Sequence, residues 1–150
     1  MKGIMEDPII SALDQQVACY RRLAKLAEVQ HEYVQQSQTE ELLDVLARRQ
    51  EVLDQIAGFE RTIAPAKQRW AAYLAGLDPA RRGRAEGLLA ETRRLLEQIT
   101  TADRNDALVL QQRKLNLGRE INQAQAARTV NRSYAAAAYG ARAPRMDVQR

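Results

Sequence analysis

Leu42-x-x-Val45-x-x-x-Arg49-x-x-Val52-x-x-x-Ile56-x-x-Phe59-x-x-x-Ile63-x-x-Ala66-x-x-x-Trp70-x-x-Tyr73-x-x-x-Leu77 decides the fold. The steps alternate three and four for ten intervals, which keeps the set on one side of an α-helix and forms a heptad seam. A helix with one such stripe needs partner helices to cover it. Arg49 is the one charged member; its stem can pack while its head reaches toward water. Pro65 lies inside the run, lacks a backbone donor and crowds the preceding turn. The phase survives it, since Ile56, Ile63, Trp70 and Leu77 stay seven apart. The expectation is therefore a kinked continuous helix rather than two.

Two further helices flank the stretch. The first opens at Asp7-Pro8, with Asp7 as N-cap and Pro8 at the first helical position. Its seam is Ile10, Leu13, Val17, Tyr20, Ala24, Ala27, His31 and Val34, and Leu23, Leu26 and Tyr33 widen it toward a second neighbour. Ser37-Gln38-Thr39-Glu40 reads as a capping box opening helix 2, with Thr39 as the alternative cap. The link is short, so helices 1 and 2 are expected to be antiparallel. Asp78-Pro79 opens helix 3, whose first turns Gly83 and Gly87 should weaken. Its stripe runs Leu88, Leu95, Ile99, Ala102, Asp106, Val109, Leu110, Leu117, Ile121, Ala124, with no stop signal before Gly140. The fold class is all-α: an elongated antiparallel three-helix bundle, or helical hairpin, with a long C-terminal helix. The helices are expected at about 8–36, 39–77 and 79–138 in a single domain of residues 1–140, followed by a disordered tail at 141–150.

Composition agrees. The chain has 150 residues with one Phe and one Trp, and much of its 45% hydrophobic content is alanine, which buries little area per residue. The formal net charge is +4. The excess falls at the C-terminal end, where Arg119, Arg128, Arg132, Arg142, Arg145 and Arg150 face only Glu120 and Asp147. Such an end suits an acidic protein surface, an anionic membrane or, less well with so few charges, nucleic acid. A lone Cys19 offers no disulfide framework. No apolar run has the length of a signal segment or a membrane span, so a cytoplasmic location without membrane insertion is expected.

Little here resembles chemistry. Glu28-Val29-Gln30-His31 has the spacing of a helical di-iron ligand pair, but that site needs two pairs and His31 is the only histidine. Cys19 and His31 lie about 18 Å apart along one helix, too far for a thiol and its base. Asp103 and Asp106 intrude on an apolar stripe and are read as ion-pair partners of Arg49 or a neighbour. Arg81, Arg82, Arg84, Arg93 and Arg94 alternate with Glu86, Glu91 and Glu97, a neutralised solvent face. No phosphate loop, metal set or cofactor motif is apparent, and the chain is read as non-enzymatic.

The three helices should be roughly 43, 58 and 85 Å long at 1.5 Å per residue, leaving the third about 25 Å beyond the first. That excess falls near residues 118–138 and carries Ile121, Ala124, Val130, Tyr134 and Tyr139 with nothing in the chain left to cover them. An uncovered apolar stripe suggests a partner or self-association.

The layout from Tyr20 to Tyr139 resembles the FlgN-type flagellar export chaperones. The likeness rests on Glu41-Leu42-Leu43-Asp44-Val45-Leu46-Ala47-Arg48-Arg49-Gln50-Glu51-Val52-Leu53, on Asp103-Arg104-Asn105-Asp106-Ala107-Leu108 midway along the third helix, and on Val130-Asn131-Arg132-Ser133-Tyr134 followed by Tyr139-Gly140. FliT-type chaperones are near relatives of this pattern. The resemblance implies a cytosolic, non-catalytic chaperone of flagellar type III export. It would hold the C-terminal amphipathic helices of hook–filament junction proteins and deliver them to the cytoplasmic domain of the export gate. Leu117, Ile121, Ala124 and Val130 would contact the client, and Tyr134 or Tyr139 would dock the gate. The Ala135–Ala138 run and the arginine-rich end depart from the family's pattern. The rival readings are a coiled-coil protein that forms a homodimer through the same stripe and a basic helical nucleic-acid binder.

Overall fold

The computed structural model describes residues 7–140, with side chains through Ala135. Met1–Glu6 and the tail expected at 141–150 lie outside the described residues. Four helices follow in order: α1 (Pro8–Gln35), α2 (Thr39–Gln68), α3 (Trp70–Ala75) and α4 (Pro79–Gly140). The chain divides into two units, Met1–Val109 and Leu110–Arg150.

The first unit is a three-helix bundle. Its running direction can be read from residues that touch. Gln16 meets Ile56 and Glu60, Cys19 meets Gln55, and Gln30 meets Arg49, so α1 and α2 are antiparallel. Gln30 also reaches Asp106, and Arg49 reaches Asp103, which sets this part of α4 parallel to α1 and antiparallel to α2. Two apolar clusters fill the interior. One joins Ile10, Ala12 and Leu13 to Ile63 and Ala85, with Trp70, Tyr73, Leu74 and Leu77 against it. The other joins Val17, Cys19, Leu23 and Ala24 to Val52, Ile56, Leu95 and Ile99. Each fully buried Leu, Ile or Val adds about 1.5–3 kcal/mol, so these layers supply most of what holds the helices together.

The helix ends follow local chemistry. Asp7 Oδ1 accepts from the N–H groups of Ile9 (2.7 Å) and Ile10 (3.2 Å), the N-cap expected of it. Asp78 Oδ1 accepts from Arg81 N–H at 2.8 Å and caps α4 before Pro79. The capping box proposed at Ser37 does not form. Ser37 has φ 55°, and its N–H donates to Val34 O (3.3 Å) while Gln38 N–H donates to Tyr33 O (2.9 Å). That pair of bonds is a Schellman closure of α1, so Ser37 ends one helix rather than starting the next. Thr39 is not the cap either; α2 starts from Gln38, which makes no side-chain cap bond.

The seam continues through Pro65, but the helix does not run unbroken to residue 77. Pro65 stays within α2, and the interruption falls four residues later. Arg69 N–H bonds Ala66 O at 3.1 Å, one residue short of the α-helical partner, and Arg69 leaves the helical region at φ −125°, ψ 44°. Helical bonding resumes with Tyr73 N–H on Arg69 O at 2.8 Å. The break is short enough that Trp70 and Tyr73 stay on the core side, their ring centroids 5.4 Å apart. Arg82 then closes α3 from outside: Nε donates to Leu74 O (3.2 Å) and Nη2 to Leu77 O (3.0 Å).

The second unit begins at Leu110 and is described as the continuation of α4 to Gly140. Ala, Gln, Leu and Arg dominate it, all strong helix formers, and Gly118 is the one glycine in it before Gly140.

Candidate partner-binding face on the C-terminal helix

Helix α4 carries a polar cluster in the first unit and exposed apolar residues in the second. In the first unit, the polar residues that interrupt the α4 stripe, Asp103 and Asp106, belong to a polar cluster. Arg49 Nη1 and Nη2 donate to Asp103 Oδ1 and Oδ2, each at 2.8 Å, a two-pronged ion pair. Arg49 Nη1 also donates to Gln30 Oε1 at 2.6 Å. Gln30 Nε2 donates to Asp106 Oδ2 at 3.3 Å, and Asp106 Oδ1 lies 2.8 Å from His31 Nδ1. Asp106 is 2% exposed. The hydrogen bonds to Asp103 hold the Arg49 proton more firmly than usual, against the opposing effect of burial. The cluster links α1, α2 and α4, and each of its bonds fixes the rotation of a helix as well as its position.

Asp103 is the ion-pair partner of Arg49, as expected, while Asp106 lies against the ring nitrogen of His31 and the Gln30 amide. Gln30, and likewise the buried Gln16, went unrecognised. Their signal was present, because Ile9, Gln16, Leu23 and Gln30 fall seven apart on α1. His31 is exposed and turned to Asp106, not toward Cys19. Cys19 Sγ is instead buried between Arg22 Nη2 (3.1 Å) and Gln55 Oε1 (3.6 Å). A shallow groove beside His31 is lined by Lys25, Ala27, Glu28, Val29, Glu32, Ala102 and Asn105, without a hydroxyl or thiol. The arginines early in α4 are largely neutralised. Arg94 holds Glu91 (2.7 Å), and its bond keeps the Glu91 carboxyl below the usual carboxylate range. Arg84 reaches Asp14 on α1 at 3.2 Å.

In the second unit, Leu117, Ile121, Ala124, Val130 and Tyr134 are all exposed. Tyr139 lies within the helix, outside the described side chains. They do not form one stripe. At about 100° per residue, Leu110, Leu117, Ile121 and Ala124 fall within roughly 60° of one another, whereas Val130 lies on nearly the opposite side and Tyr134 about a third of a turn away. The first face is the better docking surface: Leu110 is 43%, Leu117 57% and Ile121 49% exposed. Covering side chains of this kind contributes about 1 kcal/mol or more each. The second face, with Leu115, Val130 and Tyr134, is separate. No described helix is long and apolar enough to cross a membrane.

The family model described as FlgN protein matches residues 5–140. Comparison with curated proteins and with solved structures found no match. The match extends through the bundle and the exposed helix together, and the family is one of flagellar export chaperones. The chain belongs to the FlgN family.

Proposed function

We propose that this chain is a cytosolic export chaperone for hook–filament junction proteins, and that it holds their C-terminal amphipathic helices on the Leu110–Leu117–Ile121–Ala124 face of α4. The carrying observation is that face: several large apolar side chains on one side of a helix, all open to solvent. An amphipathic client helix would lay its own apolar side against it, removing both stripes from water. Lys114 and Arg128 stand on the same side of α4 and would select a client with acidic flanks. Val130, on the other side, would touch the client only if it wraps the helix. Tyr134 and Tyr139 are the candidates for docking the export gate, and Tyr134 is 72% exposed. No cofactor or small-molecule substrate enters this reading.

Co-purification tests it. The chain should form a stable one-to-one complex with the C-terminal helix of a junction protein from the same genome and not with that of the filament cap. Ile121→Asp should abolish that complex while leaving helicity by circular dichroism nearly intact. Binding to neither client would remove the proposal, and capture of the filament-cap helix alone would move it to a FliT-type role.

A further inference from the structure

A second leucine row lies open on the bundle itself. Leu43 is 61%, Leu46 43% and Leu53 40% exposed, on the side of α2 that does not carry the Val45–Val52–Ile56–Ile63 core seam. With Gln50 and Ala57 they continue the three-four spacing, so they line up along the helix. A parallel row one position on is acidic: Glu40, Asp44, Glu51 and Asp54, all exposed. Arg48 bridges Asp44 at 3.2 Å, leaving the row strongly negative. The surface therefore calls for a helix with an apolar stripe and a basic border.

The chain holds such a helix. Lys114 borders the Leu110–Leu117–Ile121–Ala124 row, Arg128 and Arg132 extend the same side of the helix beyond Ala124, and Glu120 is the one acid between 110 and 135. The lengths agree as well: Leu43 to Ala57 and Leu110 to Ala124 each span about 21 Å along a helix. We propose that two copies of this chain associate reciprocally, the basic apolar row of α4 in each copy seating on the leucine row of α2 in the other. A twofold axis relating the copies makes the two contacts equivalent. The interface does not depend on the export-chaperone reading, and because it uses the same α4 row, a client helix bound there would displace the second copy.

Sedimentation equilibrium of the full chain tests it, with two charge-reversed variants. One carries Glu40→Lys, Asp44→Lys, Glu51→Lys and Asp54→Lys; the other carries Lys114→Glu, Arg128→Glu and Arg132→Glu. The wild-type chain should be a dimer that weakens as salt rises. Each variant alone should lose at least roughly a hundredfold in dimer affinity, because like charges then face each other in both contacts. Their equimolar mixture should recover the dimer, since each reversed row meets its complement. Circular dichroism confirms folding, and if the α2 variant unfolds, Leu43→Ser, Leu46→Ser and Leu53→Ser together take its place, with loss of the dimer expected. A monomeric wild type, variants that remain dimeric, a mixture that stays monomeric, or oligomers that grow without closing would each overturn the proposal. The α2 variants should still bind a junction-protein helix if the proposed function holds. Failure of that binding with loss of the dimer intact would count against the function alone.

Discussion

Ser37 shows how one side chain is set by its backbone rather than by its own hydrogen-bonding habit. As the residue that ends α1 at φ 55°, it stands where glycine is usual, since a Cβ crowds the left-handed conformation. Ser37→Gly should therefore raise stability by up to about 1 kcal/mol, read as a higher midpoint in urea; a fall would mean the Ser side chain contributes more to the turn than its φ angle costs. Asp103 acts in the opposite sense. Its carboxylate receives both prongs of Arg49, whose side chain is 12% exposed. Asp103→Ala leaves that guanidinium with only Gln30 and should cost about 1–3 kcal/mol. An unchanged urea midpoint would show that water replaces the carboxylate without loss. Sequence placed Asp103 next to a cation but could not divide Asp103 and Asp106 between Arg49 and His31, because that depends on how α1 and α2 rotate against α4.

At the scale of elements, α4 illustrates tertiary support for weak local propensity. Gly83 and Gly87 predicted a frail start, yet the helix is formed from Pro79. The Asp78 cap, the Arg82 bonds to the end of α3, and Ala85 buried in the core between the two glycines hold it. Nothing lies within 4 Å of where a Cβ would stand at either glycine. Gly83→Ala and Gly87→Ala should each stabilise the chain by about 0.5–1 kcal/mol, additively, as followed by thermal melting with circular dichroism. Helix α2 makes the complementary point. The heptad phase was legible through Pro65, and the core side of Trp70 and Tyr73 follows it. The break at Arg69 was not legible, since a switch from a four-residue to a three-residue backbone bond leaves the side-chain pattern almost unaltered.

For the whole molecule, the two units should differ in how they resist opening. The first has two core clusters and a polar network; in the second, the side chains from Leu110 to Ala135 are exposed or nearly so. A helix supported chiefly by its own propensity is marginal in water. In the chain diluted to the monomer, amide exchange should be fastest beyond residue 110 and should slow there when a client helix or a second copy covers α4, while residues 10–35 change little. Equal protection of both segments in the monomer would show that α4 is covered within one chain. By itself the sequence determined the all-helical class, the seams of α1 and α2, the caps at Asp7 and Asp78, and the family resemblance. Those depend on periodicities of 3.5 to 3.6 and on contacts within one turn, which any helix of this composition must satisfy. Only the tertiary structure decided that Gln16, Gln30 and Asp106 are buried, that Ser37 closes α1, and that the leucines of α2 outside the seam stay open. Those outcomes depend on which helix faces meet, and a residue on a helix surface is core or interface only once its neighbour is in place.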